Sequence, residues 1–211
     1  MYPFRDIASS PSRRLRSASL PMPMKTRRWT RVEYERLVEH GLFQPDERLE
    51  LLDGLLVVHE PQGSLHAMVV TAVRKALERA FGTGFHVRDE KPVALDNASE
   101  PEPDLAVVRG GLWTYGESHP AKPVLLVEVS DTSLSVDRRW KGGLYARAGI
   151  REYWIVNLTD KILEVYRRPV SAPGTRHGVR YGSIRLLRRG VTAKPLAAPK
   201  RVAVADLLPP R

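Results

Sequence analysis

The sequence predicts an α/β fold, a sandwich of helices around a central mixed β-sheet. Hydrophobic residues make up 42% of the 211-residue chain, which is enough for a substantial core. Short β-branched runs bounded by proline and glycine are typical of buried strands. Such runs occur with helical patterns in the order helix, hairpin, helix, several strands, helix, hairpin. This order favours a layered α/β architecture.

The ordered part of the chain is predicted to begin with a helix at Thr30. Thr30 and Glu33 have the spacing of a capping box, in which each side chain caps the other residue's backbone N–H. Residues 48–60 predict a β-hairpin about the Asp53-Gly54 turn. Glu50 lies among leucines in this hairpin, so a carboxylate occupies an apolar strand.

A second helix is predicted from an N-cap at Ser64 to a glycine stop at Gly82, and His66 lies in its first turn. Two further strands are predicted at 85–89 and 91–95, followed by a turn at Asp96 and Asn97.

Two carboxylates mark the central strands of the predicted sheet. Asp104 opens the apolar run 105–108, and Glu128 lies inside the apolar run 124–129. A buried carboxylate costs several kcal/mol unless it is paired or binds a metal. Mg²⁺ in proteins usually takes one or two carboxylates together with waters and substrate phosphate. Asp104 and Glu128 can supply the two carboxylates, and Glu50 a third, directly or through water.

The C-terminal half is predicted to contain a helix at 137–148, despite Gly142 and Gly143, and then a hairpin of strands 152–157 and 161–168. Lys141 is one helical turn into this helix. A lysine there could orient the attacking water and offset charge that builds up on a phosphate. Beyond Pro169 the signals weaken to short strand-like pieces, YGSIRLL and RVAVADLL.

Charge is distributed unevenly along the chain. The net charge is +10, but residues 29–166 carry −6, whereas 1–28 carry +6 and 167–211 carry +10. This pattern fits a cation-binding body with ends that attract phosphate, or ends that are only solvated. Residues 1–26 are predicted to form a disordered basic leader, and 27–208 a single domain. The leader could also be an untranslated stretch before Met22 or Met24, or an organelle transit peptide.

Composition excludes several classes of site. The chain has no cysteine, so disulfides, thiolate metal sites and a cysteine nucleophile are excluded. No run approaches about 18 consecutive apolar residues, so we expect no transmembrane helix.

The motifs and their order resemble a known family. They are RLELLDG with Glu50, SLHAMVV with His66, PEPDLAVV with Asp104, VLLVEVSDTS with Glu128, DRRWKGGLYARAGIREYWIVN with Lys141, and VAVADLL. Over about residues 29–208 the chain is similar to the Uma-two family of bacterial endonucleases. This family belongs to the PD-(D/E)XK restriction-endonuclease-like superfamily.

The resemblance implies a restriction-endonuclease-like three-layer sandwich and a cytoplasmic bacterial enzyme. It implies hydrolysis of nucleic acid, with DNA as the expected substrate, and dependence on Mg²⁺ or Mn²⁺. Asp104, Glu128 and the backbone carbonyl of Val129 would hold the metal, with Glu50 as a further ligand, and Lys141 would be catalytic. The superfamily pattern has a lysine two residues after the glutamate, where this chain has Ser130. A homodimer could cut both strands, since each chain has one site.

Each of these residues also has a structural interpretation. Asp104 could cap a strand after proline, Glu128 could pair with a buried arginine, and Glu50 and Lys141 could face solvent. His66 and Trp113 are candidate substrate contacts, Trp113 by stacking on a base, but a surface histidine or a core-closing aromatic would give the same pattern. The alternative function is a nucleic-acid- or partner-binding domain that keeps the fold without turnover.

Overall fold

The structure is a computed structural model that describes residues 26–44, 47–59 and 62–210. The predicted leader, 1–26, therefore lies outside the described residues except for Thr26.

A six-stranded mixed sheet forms the centre of the molecule, with strand order β3-β4-β5-β6-β7-β8. The β5–β6 pair is parallel, and the other four neighbouring pairs are antiparallel. The strands are β3 Phe85–Asp89, β4 Leu105–Arg109, β5 Leu125–Ser130, β6 Glu152–Asn157, β7 Ile162–Ser171 and β8 Val179–Leu187. Two small antiparallel pairs accompany it: β1 Leu49–Leu52 with β2 Leu55–Val58, and β9 Thr192–Ala193 with β10 Val202–Ala203.

Helices cover both faces of the sheet, as a three-layer sandwich requires. The helices are α1 Arg31–Glu39, α2 Ser64–Phe81, α3 Leu134–Val136 and α4 Gly142–Arg147, with short 3₁₀ turns at Leu112–Tyr115 and Val204–Leu207. A π-helical turn, Asp137–Lys141, joins α3 to α4, so 134–147 is one continuous helical segment. This 134–147 helix is the crossover between the parallel strands β5 and β6.

Alternation along β5 decides which face each side chain occupies. Leu125, Val127 and Val129 pack in the core beneath α2, whereas Leu126 packs with Tyr145 in the core beneath the 134–147 helix. Because side chains alternate with period two along a strand, Glu128 faces the 134–147 helix. The strand period thus directs a carboxylate toward the helix that carries Lys141.

Most predicted elements are confirmed. Thr30 and Glu33 form the capping box at the start of α1, and β1 and β2 form the hairpin about Asp53 and Gly54. The strands at 85–89, 152–157 and 161–168 are present within a residue or a few of the predicted bounds. The two central strands pair directly with each other, with Leu105 opposite Val127.

Three local predictions were wrong. The N-cap of α2 is Gly63, which has extended backbone angles and no capping side chain, and Ser64 is already helical. Residues 91–95 are not a strand: Pro92 has no N–H, and the N–H groups of Val93 and Ala94 bond to Pro101 and Pro120. The helix predicted at 137–148 begins three residues earlier, at Leu134, and its first predicted turn is π-helical.

Candidate active site

Asp104 and Glu128 meet at one end of the β4–β5 pair. The Asp104 backbone N–H donates to Glu128 Oε2 at 3.3 Å, and the Val129 N–H donates to Asp104 Oδ2 at 2.6 Å. Both side chains belong to residues that are buried, at 8% and 3% exposure. The sheet register therefore places two carboxylates side by side in a setting where water cannot fully solvate them.

Lys141 lies between two of the predicted acids. Its Nζ is 3.3 Å from Glu50 Oε1 and 3.2 Å from Glu128 Oε1, and the residue is only 5% exposed. The interpretation of Lys141 as a solvated helix lysine, and of Glu50 as a solvent-facing hairpin residue, is therefore wrong. Glu128 has a lysine, not an arginine, as its buried partner.

Burial and the neighbouring charges shift the pKa values of the residues in this cluster. Burial opposes the charge on Lys141, but the carboxylates of Glu128 and Glu50 outweigh burial and raise the pKa of Lys141. Burial also raises the pKa of Glu50, yet Lys141 and His59 outweigh it and lower this pKa to about 2. Burial, reinforced by the neighbouring Asp104 charge, raises the pKa of Glu128 against the attraction of Lys141. Lys141 is thus held as an ammonium among acids.

Further side chains fix the orientation of the two glutamates. The Tyr145 hydroxyl donates to Glu128 Oε1 at 2.6 Å and is fully buried. His59 Nε2 lies 3.3 Å from Glu50 Oε2, and the backbone N–H of Glu102 donates to the same oxygen at 3.1 Å. Glu50 therefore lies at the rim of the cluster, joined to the centre through Lys141.

Asp104 has its own polar partners from the α2 side. His66 Nε2 lies 3.2 Å from Asp104 Oδ2, and Gln62 Nε2 donates to Asp104 Oδ1 at 3.3 Å. Burial lowers the pKa of His66, but Asp104 and the Val129 backbone reverse this and raise it. The N–H and C=O of one strand residue point to the same side, so the Val129 carbonyl faces the Asp104 edge together with its N–H.

Ser130 occupies the strand position where the resemblance leads us to expect a lysine. Its hydroxyl donates to Asp137 Oδ2 at 2.6 Å, and the Ser133 hydroxyl donates to the same oxygen at 2.6 Å. Asp137 is the first residue of the π-turn that ends at Lys141. Ser130 thus anchors the helical segment that carries Lys141, and Lys141 approaches Glu128 from that helix and not from the strand.

Trp113 is not brought to this cluster. It lies in the 3₁₀ turn after β4, at the opposite end of that strand from Asp104, and is 87% exposed. Its part in substrate binding stays a prediction. The other predicted site residues do come together in this cluster: Glu50, His66, Asp104, Glu128, Val129 and Lys141.

The sequence interpretation missed several polar partners. Tyr145 had a signal in the sequence, because its position four residues after Lys141 places it on the same helical face. Asp137 lies one turn before Lys141 and had the same signal. Gln62 and His59 had no such signal in the sequence, because their contacts with Asp104 and Glu50 depend on how the β1–β2 hairpin and α2 pack against the sheet.

The donor set fits a hard divalent cation that relies partly on substrate. Asp104 and Glu128 offer two adjacent carboxylates, and the Val129 carbonyl faces the same edge, which matches the oxygen ligands that Mg²⁺ and Mn²⁺ prefer. In the described part of the chain, no group of three or more His, Asp or Glu side chains is arranged to hold a metal alone. Glu50 is instead engaged by Lys141.

Comparison with known proteins defines the class as a nuclease-fold α/β protein. Five chains of solved structures match. One is the crystal structure of "a putative nuclease belonging to DUF820" from Anabaena variabilis ATCC 29413, with a TM-score of 0.61 and 12% sequence identity. The match covers 84% of this chain and 96% of that chain. At this identity the likeness shows the fold.

The family follows from the sequence itself. Residues 31–196 match the Uma2 family, described as "Putative restriction endonuclease", and the chain belongs to this family. The resemblance drawn from the motifs is thereby confirmed. No curated protein matches the chain in sequence. None of the helices in the described residues is both long and apolar enough to cross a membrane.

Proposed function

We propose that this protein is a metal-dependent endonuclease that hydrolyses phosphodiester bonds in nucleic acid, with DNA as its substrate. The observation that carries the proposal is the buried Lys141 ammonium, held 3.2 Å from Glu128 beside Asp104. Burying these charges costs several kcal/mol of solvation. Phosphodiester hydrolysis would account for this cost, because the reaction requires both acidic metal ligands and a fixed positive charge.

Asp104, Glu128 and the Val129 carbonyl would hold Mg²⁺ or Mn²⁺. When bound, such an ion stabilises negative charge on the phosphate and lowers the pKa of a coordinated water. Glu50 would act from the rim, through its ion pair with Lys141.

The protein's own groups would orient the reaction. Lys141 supplies a fixed positive charge toward the phosphate and the attacking water, and its raised pKa keeps it protonated. Tyr145 holds one oxygen of Glu128, and His66 holds one oxygen of Asp104. These contacts reduce the reorganisation required when the substrate binds.

The second candidate function is a nucleic-acid-binding domain without turnover. Ser130 favours it, because the strand position where the superfamily pattern has a lysine carries an uncharged serine in this chain. The buried ammonium of Lys141, 3.2 Å from Glu128, could take the role of the missing lysine, and this supports the catalytic proposal over the binding one.

The test is to incubate purified protein with supercoiled plasmid and single-stranded DNA, with Mg²⁺, Mn²⁺ or EDTA. We expect cleavage that requires metal. Nicked plasmid as the first product would indicate one chain acting alone, and direct linearisation would indicate two chains acting together. Binding without cleavage under every metal condition would replace the nuclease proposal with the binding domain.

A further inference from the structure

A second, strongly basic cavity lies on the same helix as Lys141 but outside the candidate active site. It has a volume of about 370 Å³ and is formed by the 134–147 helix, the β7–β8 hairpin loop and the faces of β7 and β8. Four arginines line it: Arg138, Arg139, Arg176 and Arg180. No Asp or Glu is among the described residues that line the cavity.

The walls of this cavity are fixed by specific contacts. Arg138 is held by Glu164, with its Nε 3.0 Å from Oε2. The Arg176 guanidinium lies over the Trp140 ring, 4.3 Å from the ring centroid. His177 packs so closely on Gly143 that a Cβ at this glycine would overlap the imidazole ring. The hairpin loop is thus seated on the helix, and the cavity between them is preformed.

Two of the four arginines keep their charge available. Arg139 and Arg180 are exposed, and neither forms an ion pair within the described residues. Arg138, in contrast, pairs with Glu164, and Arg176 pairs with Asp53. Guanidinium groups bind phosphate oxygens with two parallel hydrogen bonds. A concave surface lined by charges of one sign also concentrates the field on its ligand. The chemistry of the cavity therefore suits phosphate groups.

The position of the cavity relates it to the candidate active site. Glu128 is on β5, and the cavity lies over β7 and β8, two and three strands away. At about 4.8 Å between strands, this separation is on the order of 10–15 Å. A nucleic-acid strand advances about 3.4 Å per nucleotide along the helix axis, and neighbouring phosphates on the winding strand are farther apart than this rise. The cavity therefore lies within a few nucleotides of the site of cleavage.

We propose that this cavity binds backbone phosphates of the substrate strand within a few nucleotides of the scissile phosphate. The inference rests on the proposed function and adds to it the path of the strand. Arg139 and Arg180 contact the phosphates directly, whereas Arg138 and Arg176, whose charges are paired with Glu164 and Asp53, shape the cavity.

The experiment compares Arg139→Gln/Arg180→Gln with Arg109→Gln/Lys122→Gln, which removes the same charge from exposed residues outside the cavity. Binding of a fluorescent oligonucleotide is measured by anisotropy in EDTA across a salt series. We expect affinity to fall roughly ten- to a hundredfold in the cavity variant. The slope of log K against log salt should become shallower by about 1.4–1.8, the value for two phosphate contacts.

Several outcomes would overturn the inference. One is an equal loss of affinity in the control, which would show that only net charge matters. Another is a mononucleotide that binds the wild type as tightly as the oligonucleotide does and loses the same affinity in the cavity variant. This result would make the cavity a nucleotide site. If the wild type cleaves nucleic acid but the cavity variant binds the oligonucleotide with unchanged affinity, the proposed role of the cavity is refuted and the proposed function is not. Wild-type protein that neither binds nor cleaves nucleic acid would refute the proposed function as well.

Discussion

Replacing Lys141 by methionine should destabilise the protein strongly, because the lysine neutralises two buried carboxylates at once. Its Nζ lies 3.3 Å from Glu50 and 3.2 Å from Glu128, and the residue is 5% exposed. Methionine keeps the length of the side chain and removes its charge. Removing one partner of a buried ion pair typically costs about 3–5 kcal/mol. For a domain of this size, that corresponds to a Tm lower by roughly 6–20 °C.

The assay is thermal unfolding in EDTA, with the exposed Lys75→Met as the matched control. Adding Mn²⁺ should stabilise the Lys141→Met protein at least as much as the wild type, because the variant lacks the ammonium that repels the cation. Turnover should nevertheless fall by about 10²–10³. A Tm within about 2 °C of the control would refute the reasoning, since it would mean that Lys141 does not compensate the buried acids.

Three further changes test individual contacts. Although burial opposes it, hydrogen bonds from His177, Trp140 and Arg147 lower the pKa of Asp53 to about 2. Its ionised form therefore stabilises the fold. In urea unfolding, Asp53→Asn should cost about 2 kcal/mol at pH 7 and much less at pH 2, where part of the native carboxyl is protonated. Burial raises the pKa of Glu100 to about 7. Because the folded state disfavours the ionised carboxyl, stability is lost as pH rises from about 4.5 through 7. Glu100→Gln should therefore raise the Tm at pH 8 but not at pH 4. Tyr145→Phe removes the hydroxyl that donates to Glu128 at 2.6 Å and should lower the free energy of unfolding by about 1.5–3 kcal/mol in urea.

Strand periodicity and turn chemistry made much of this fold predictable. The alternating and continuous apolar runs located the central strands, and an isolated carboxylate in each marked the site. Local signals of this kind depend on the nearest few residues, which is why the Asp53-Gly54 hairpin and the Thr30 capping box were also found. The segment 91–95 had a strand-like composition, but its backbone partners are the carbonyls of distant prolines.

The geometry around Lys141 required the tertiary structure. Helical spacing gave Lys141 and Tyr145 the same face, yet only the packing of the 134–147 helix against β5 shows that this face meets Glu128. The π-turn and the Ser130–Asp137 hydrogen bond have no signal in a single sequence. The basic cavity likewise joins Arg139 with Arg180, which are far apart in the chain.

The initial rate of plasmid nicking by Asp104→Asn, measured beside Asp131→Asn, tests whether Asp104 belongs to a reactive site. Asp131 is exposed and close to the same strand end, so its variant controls for the loss of one carboxylate. With saturating Mg²⁺ or Mn²⁺, we expect Asp131→Asn to nick the plasmid at close to the wild-type rate. Asp104→Asn should be slower by at least about 10²–10³. Nicking by Asp104→Asn at the wild-type rate would show that Asp104 has no part in cleavage.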